Sequence, residues 1–207
     1  MTDTAVGTLP ARADRITMRA IGGLAAAMAV ALAVGQMTIA GAYAWADSVT
    51  LSLVADKTLD VALNAGVTSA SIDAVQLTTD ALAPAARALY ATGAVLLGLT
   101  ALAVGFALAW LLVAAASGRP FRRALYRFSI VAGFALVLGP LAATALSGFA
   151  SMQAALDLNE AVGGILLVGF GVSSWGMTIP IVGLAVIALA YLLRRMESLQ
   201  RETEGLV

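Results

Sequence analysis

Four long apolar stretches, each without a charged residue at its centre, constrain this chain more than any other feature of its sequence. The hydrocarbon core of a bilayer is about 30 Å thick, and a helix needs about 20 apolar residues to cross it. The stretches cover residues 20–44, 88–116, 125–149 and 176–193. The Leu, Val and Phe residues of the second stretch alone favour insertion by roughly 4–7 kcal/mol. Each stretch is therefore predicted to be a transmembrane helix.

The composition argues against a soluble domain. Apolar residues make up 61% of the 207 residues and charged residues 12%, whereas a soluble domain carries roughly 25% charged residues. Because the chain has no Cys and no His, thiolate nucleophiles, imidazole ligands and Ser-His or Cys-His catalysis are excluded. The net charge of +0 gives no global attraction for nucleic acid, so no direct nucleic-acid binding is expected.

The positions of the cations predict the orientation of the chain. Every Lys and Arg except Lys57 and Arg87 lies before span one, between residues 119 and 127 around the start of span three, or after span four. By the positive-inside rule, both termini and the middle loop are cytoplasmic in a multi-pass plasma-membrane protein. The positions of the aromatic residues support this orientation, since one set lies at the predicted outer ends of the spans and the other at the inner ends. The outer set is Tyr43, Trp45, Tyr90 and Trp175, and the inner set is Trp110, Phe121, Tyr126 and Tyr191.

The predicted fold class is an all-α membrane bundle of four transmembrane helices with a small β-rich extracytoplasmic cap. The spans are separated by a cytoplasmic tail, the cap, a cytoplasmic basic turn, a second outer segment and a C-terminal tail. In chain order the segments are 1–19 (tail), 20–44 (span one), 45–87 (cap), 88–116 (span two), 117–124 (basic turn), 125–149 (span three), 150–175 (outer segment, strand as one alternative), 176–193 (span four) and 194–207 (tail).

The first span has an alternative interpretation as a signal peptide. Ala44-Trp45-Ala46 resembles a signal-peptidase site that follows a basic region. However, the apolar run before it is longer than the roughly 7–15 residues of a signal peptide. A retained first helix is therefore favoured.

Alternating apolar and polar residues in the cap predict strands. Residues 48–53 and 59–63 alternate with period two, and residues 75–78 do so more loosely. Ile72 then requires either a bulge or the opposite face of the sheet. Asn64-Ala65-Gly66 predicts a turn, so the cap is expected to be a small sheet of two or three strands that rests on apolar residues.

The apolar segment 162–172 is either a further strand of the cap or the first part of span four. Its four glycines, together with Pro180, weaken a continuous helix. Strand or irregular structure is therefore favoured up to Ser174.

No ionisable residue lies inside the spans away from their ends, although such residues would indicate function by default. Without titratable groups at that depth or an EF-hand loop outside it, we predict no enzymatic activity, no cofactor and no metal site. Gln36 and Thr100 are the candidate intramembrane polar contacts. Interhelical hydrogen bonds are expected for the notable polar residues of the spans: Gln36, Thr38, Thr92, Thr100, Ser129, Thr144 and Thr178.

The basic turn between spans two and three is the most distinctive local motif of the sequence. Gly118 is expected to end one helix and Pro120 to begin the next. Cations are disfavoured at a helix N-terminus, so selection of topology or binding of anionic lipids must outweigh that effect. Docking of a protein partner is the alternative. The candidate contacts are Arg119, Pro120, Phe121, Arg122 and Arg123.

Two further features concern contacts between helices and the C-terminus. Small residues four apart, including Ala101, Gly105 and Ala109, permit close helix approach and an oligomer. The tail after Arg194 is predicted to continue the last helix and then become a solvated terminus. Alternatively, its acidic end meets the basic turn.

Two short motifs carry a resemblance to a known family: SGRPF at Ser117–Phe121 and EGLV at Glu204–Val207. With four spans and a β-like outer loop, residues 19–207 resemble the uncharacterised bacterial membrane proteins grouped as domain of unknown function 2975. The resemblance implies a bacterial multi-pass plasma-membrane protein with no assigned activity, cofactor or catalytic residue. It also implies a protein partner, a small helix-turn-helix regulator.

Three functional hypotheses follow. The favoured one is a non-enzymatic sensing or interaction protein that acts through its outer cap and its cytoplasmic basic turn, with the lipid bilayer and anionic lipids as partners. The second is a small transporter or channel-like component with a path between the helices. An enzyme is the least favoured, because titratable groups are absent from the spans.

Overall fold

The computed structural model describes residues 12–58, 71–117, 122–170 and 174–204. This part of the chain is mostly helical and contains one two-stranded antiparallel sheet. In chain order the elements are α1 (Arg12–Trp45), β1 (Val49–Thr58), β2 (Ser71–Thr79), α2 (Pro84–Ala116), α3 (Arg122–Leu158) and α4 (Ser174–Glu204). The prediction of four helices with a small β-rich segment is confirmed at this level.

Among the described residues, three helices contain stretches that are long and apolar enough to cross a membrane. These stretches are Ala13–Trp45, Pro84–Ala114 and Phe128–Leu158. The apolar part found in α4, Thr178–Leu192, is shorter. Helix α4 continues to Glu204, as expected for the first part of the tail.

Helix α3 is longer than predicted at its C-terminal end. The outer segment predicted over residues 150–175, with strand as one alternative, is helical as far as Leu158. Ala150, Ala154, Ala155 and Leu158 recur at helical spacing and are all buried. Burial of that face therefore favours continuation of the helix.

The residues after α3 are held in a compact turn followed by irregular chain. Gly163 and Gly164 both have positive φ angles, which glycine adopts without the steric cost of a side chain. The Gly164 N–H donates to the Asn159 carbonyl at 2.8 Å, and the Leu166 N–H donates to Asn159 Oδ1 at 3.0 Å. Residues 165–170 then form neither a helix nor a continuous strand, in agreement with the favoured interpretation of this segment.

The sheet is a hairpin whose register contains one irregularity. Val49 pairs with Thr79, and the register continues to Val54 opposite Ala74. Beyond that point Lys57 pairs with Ile72, so β1 has one extra residue. Such a β-bulge lets one strand change register against the other. The extra residue lies in β1, so β2 alternates without interruption and Ile72 lies on the opposite face from Val75 and Leu77, which is the second of the two alternatives for this residue.

The chain divides into two compact units. Unit 1 contains Met1–Val34, Leu99–Leu138 and Ile179–Val207, and unit 2 contains Gly35–Gly98 and Gly139–Thr178. In unit 1, α1 and α2 approach closely at Gly105, where an added Cβ would collide with Ala29 and lie 3.2 Å from the Ala25 carbonyl oxygen. The small residues predicted to permit helix contact are thus used within the chain at this position.

Aromatic pairs also lie within the units. In unit 1 the Tyr126 and Tyr191 rings are 5.7 Å apart and edge-on. In unit 2 the Tyr43 and Tyr90 rings stack at 4.8 Å. Both pairs join residues that were expected at the same end of the spans.

Several predicted features lie outside the described residues. They are the alternating run 59–63, the turn at Asn64-Ala65-Gly66, the Gly118–Phe121 part of the basic turn, and the last three residues of the EGLV motif.

Candidate functional site

The hairpin of unit 2 rests on an apolar core formed by three parts of the chain. Val49, Leu51 and Leu53 point inward from β1 and are buried, because alternate residues of a strand face the same side. They belong to one cluster with residues from the chain just before α2 and its first turn, the end of α3 and the irregular segment after it. The other members are Leu82, Ala86, Ala154, Ala155, Leu158 and Leu166. The expectation that the strands rest on apolar residues is thereby met.

The opposite face of the hairpin is polar and exposed. Thr50 lies opposite Thr78, and their hydroxyl oxygens are 2.9 Å apart. Ser52 lies opposite Gln76, and both are exposed. The face continues through exposed Val54 and Ala74. It offers hydroxyl and amide groups on a scaffold that the core below holds in place.

Arg87 connects both ends of the hairpin to the helices. It lies in the first turn of α2, and its guanidinium donates to four backbone carbonyl oxygens. Nη1 donates to Ala46 at 2.7 Å, and Nη2 donates to Asp47 at 3.4 Å. Nη2 also donates to Asp80 at 3.2 Å, and Nε donates to Leu82 at 3.3 Å. The planar guanidinium suits this arrangement because its donors point in several fixed directions.

The contacts of Arg87 also suit its charge. Ala46 directly follows the last residue of α1, and cations are favoured at the C-terminal end of a helix. Sequence reasoning counted Arg87 only as an outer cation and missed this role. Its acceptors are backbone carbonyls, which every residue carries, so no side-chain pattern in the sequence marks them.

The irregular segment after α3 adds a third strip of chain to the hairpin. Leu166 forms an antiparallel bridge with Ala55, and the Leu167 N–H donates to the Val54 carbonyl at 3.0 Å. This strip lies along the edge of β1 that β2 leaves open. Segment 162–172 was expected either to join the cap or to begin span four, and its described part joins the hairpin through this single bridge.

The predicted intramembrane candidates lie in different units. Gln36 is half-buried on α1 in unit 2, and Thr100 is buried on α2 in unit 1. Thr100 has an interaction partner, so it is a satisfied polar group.

Two of the expected interhelical hydrogen bonds are instead made within one helix. The Thr38 hydroxyl donates to the Gly35 carbonyl at 2.7 Å, and the Thr92 hydroxyl donates to the Ala88 carbonyl at 2.7 Å. A Thr side chain in a helix reaches the carbonyl three or four residues earlier without needing a second helix. The expectation is therefore wrong for Thr38 and Thr92.

The basic turn is described only at its borders. Ser117 follows α2 and its hydroxyl donates to the Val113 carbonyl at 2.8 Å. Arg122 and Arg123 begin α3, but their side chains lie outside the described part, as do Arg119, Pro120 and Phe121 altogether. The contacts of this candidate site stay a prediction.

The candidate site is the exposed polar face of the hairpin on its apolar support, which presents hydroxyl and amide groups. Among the described residues, no group of three or more His, Cys, Asp or Glu could hold a metal ion, and no buried side-chain N or O atom lacks a hydrogen-bond partner. No protein-family model matches the chain, and no curated protein or solved structure matches it.

Proposed function

We propose that this chain is a four-span integral protein of the bacterial plasma membrane that acts by interaction or sensing, without enzymatic chemistry. In this proposal the polar face of the hairpin meets its ligand or partner outside the cell. The basic turn, Arg119 to Arg123, binds anionic lipids and a protein partner on the cytoplasmic side.

The pattern of burial in the helices carries the membrane part of the proposal. Wherever the structure describes the side chains of α1–α4, every buried residue is Ala, Gly or Pro apart from Thr100 and Leu158. Large apolar side chains point outward instead, such as Leu32 at 58% exposure and Leu99 at 52%. Water disfavours such surfaces. Lipid accepts them, and small residues allow membrane helices to pack closely.

The length of its uncharged part supports α4 as the fourth span. Residues 174–193 of this helix contain no charged side chain and supply about the 20 residues that a crossing requires. Four spans also return the chain to the side on which it began. Both basic termini then lie on the same side as the basic turn, as the positive-inside rule favours.

Arg87 fits this orientation although it is a cation on the proposed outer side. Its guanidinium is engaged by four carbonyls of its own unit. Its role is accordingly to hold the hairpin rather than to bind lipid. The remaining Lys and Arg, apart from Lys57, all lie on the proposed cytoplasmic side.

The different roles proposed for the hairpin and the basic turn follow from the chemical groups that each presents. The hairpin presents uncharged hydrogen-bonding groups on a rigid support, which suits recognition of a ligand or protein. The turn concentrates arginines beside a membrane surface, which suits anionic headgroups at about 1 kcal/mol per cation. The resemblance carried by SGRPF and EGLV adds a small helix-turn-helix regulator as the candidate cytoplasmic partner.

The orientation can be tested directly because the chain has no native Cys. Single Cys residues are introduced by Gln76→Cys in the hairpin and by Gln200→Cys in the tail. In intact cells, an impermeant maleimide should label only the first variant. Equal labelling of both variants, or labelling of the tail alone, would overturn the proposed topology.

The interaction role is tested by purification in a mild detergent followed by mass spectrometry. Changing Arg119, Arg122 and Arg123 to Gln should remove a co-purifying cytoplasmic protein. The matched control changes Arg12, Arg15 and Arg19 to Gln, since it removes the same number of cations from the same side. Gln36→Ala with Thr100→Val should also retain the partner. If no protein co-purifies, or if all variants lose it equally, the proposed role of the basic turn is wrong.

A further inference from the structure

Residues 167–170, called the strap below, expose large apolar side chains outside any helix or strand. Leu167, Val168 and Phe170 are 46%, 41% and 45% exposed. In the hairpin beside it, the exposed face is mostly polar. An apolar strip of this kind in water would be costly, so something apolar is expected to cover it.

We propose that the strap inserts into the outer interfacial layer of the bilayer and binds the glycerol and upper acyl region of phospholipids. This inference rests on the membrane location proposed above. It adds a lipid-binding element to unit 2, where the sequence predicted only a β-rich cap and its neighbouring segment.

The strap is continuous with an exposed apolar face of α3. The Phe170 ring packs edge-on against Phe149, with 5.5 Å between ring centroids. It also lies directly over Gly148, where any Cβ would collide with the ring. Phe149, Met152 and Leu156 are themselves exposed on a helix that is long and apolar enough to span. Lipid that covers this face of α3 therefore also meets Phe170.

Charge and backbone structure place the strap at the interface. No charged residue occurs between Glu160 and Arg194, so the strap contains nothing that resists lipid. Yet a lipid-exposed backbone without helix or closed-sheet hydrogen bonds is not stable in the hydrocarbon core. The interfacial layer resolves both constraints because water and headgroups there can bond to the backbone. Trp45, 85% exposed at the end of α1 in the same unit, is of the residue type enriched at that depth.

The strap is attached to the hairpin by its first residues. Leu166 is buried in the hairpin core and bridges to Ala55, while the Leu167 N–H donates to the Val54 carbonyl. The large apolar side chains that follow, Leu167, Val168 and Phe170, are exposed. Lipid bound to the strap therefore fixes the edge of β1 at a defined height above the membrane.

Spin labels at single Cys residues in the full chain, reconstituted in phosphatidylglycerol–phosphatidylethanolamine vesicles, test this proposal. Leu167→Cys and Val168→Cys report on the strap. Leu99→Cys, exposed in the middle of α2, reports on lipid, and Gln76→Cys reports on the aqueous face of the hairpin. The measurement is the accessibility of each label to apolar oxygen and to a water-soluble nickel chelate.

The strap labels should show a ratio of oxygen to nickel accessibility several-fold higher than the Gln76 label and closer to the Leu99 label. If they match Gln76 while Leu99 reports lipid, the strap proposal is wrong and the membrane proposal stands. If Leu99 is itself open to nickel, the membrane location fails and the strap proposal fails with it. Labels shielded from both reagents would mean that protein, such as a second copy, covers the strap, which also overturns the proposal.

A second measurement tests the same proposal without a spin label, which could itself alter the position of the strap. Val168→Trp and Ser52→Trp are compared in vesicles that contain phospholipids brominated near the top of the acyl chain. Quenching above the signal of the three native Trp residues should be several-fold larger for the strap variant. Equal quenching of the two variants would contradict insertion of the strap.

Discussion

The helices bury small residues and expose large apolar ones, whereas the hairpin buries large apolar residues and exposes mostly polar ones. In the helices, the buried positions that the structure describes are nearly all Ala, Gly or Pro, and large apolar residues point outward. In the hairpin, Leu51 and Leu53 are 1% and 2% exposed, and the outward positions carry Thr, Ser and Gln. Within one chain, the hairpin follows the pattern of a protein in water and the helices follow its reverse.

The difference supports the solvent proposed for each region, water for the hairpin and lipid for the helices, more directly than composition does. Composition is averaged over the chain, whereas burial assigns a surface to each residue. In water, burying a Leu side chain contributes roughly 1.5–3 kcal/mol. Lipid offers no comparable gain between helices, so close packing of small residues becomes the main source of contact. The same amino acid thus has opposite preferred positions in the two regions.

The largest expected effect comes from a charge on the inward face of the hairpin. Leu51→Asp leaves an unpaired carboxylate in the apolar core and should destabilise unit 2 by about 3–5 kcal/mol. The measurement is protease resistance of the hairpin in detergent. Ser52→Asp, at the next position but on the outward face, is the matched control and should change little. Equal protease sensitivity of the two variants would contradict the assignment of one buried and one exposed face to the hairpin.

The next largest effect comes from a charge on an outward face of a helix. Leu99→Arg should cost about 2.5–3.5 kcal/mol of insertion free energy, because this position lies in the middle of a proposed span. Its readout is the fraction of chain in the membrane after expression. Gln76→Arg, on the outward face of the hairpin, should insert like the parent chain. Normal insertion of the Leu99 variant would show that its exposed apolar surface does not face lipid.

Replacing the guanidinium of Arg87 should have an effect of intermediate size on stability. Arg87→Lys keeps the charge, but its compact ammonium does not reproduce the directions of the guanidinium donors. Loss of bonds from this group should lower stability by about 2 kcal/mol, measured as the apparent melting temperature in detergent. Lys57→Arg is a control for the general exchange of these two side chains. If Arg87→Lys leaves the chain as stable as the parent, charge alone holds the hairpin ends.

The smallest effect is expected on the exposed polar face. Thr50→Val removes the hydroxyl pair with Thr78, which contributes less than about 1 kcal/mol. Stability should hardly change, whereas binding of a ligand or partner to this face should weaken. A large loss of stability would mean that the outward face is structural rather than available for recognition.

Local sequence patterns predicted the elements well, because each pattern reports a local property. The helices follow from long runs of apolar residues, and the start of β1 follows from alternation between Ser48 and Leu53. The break in period at Ile72 left a bulge or the opposite face open, and Ile72 lies on the face of Gln76. Helix α3 beyond Phe149 carried a signal too, since Ala150, Ala154 and Leu158 recur at helical spacing, but a prediction based on span length ended there.

The site was less predictable, because its contacts join residues far apart in the chain. The acceptors of Arg87 include the Ala46 and Asp47 carbonyls about forty residues earlier. The position of Leu166 beside Ala55 likewise depends on the folded hairpin. Gln36 and Thr100 were chosen for polarity alone, and polarity does not determine which residues share a site.

The segment between α1 and α2 begins and ends at the same side chain, that of Arg87. Ala46 and Asp47 at its start, and Asp80 and Leu82 at its end, are bound by the same guanidinium. A loop with fixed ends can grow cheaply, since each doubling of its length costs only about 0.6 kcal/mol. Insertion of a peptide or epitope tag between β1 and β2 is consequently expected to cost little stability and to leave the helices unaltered.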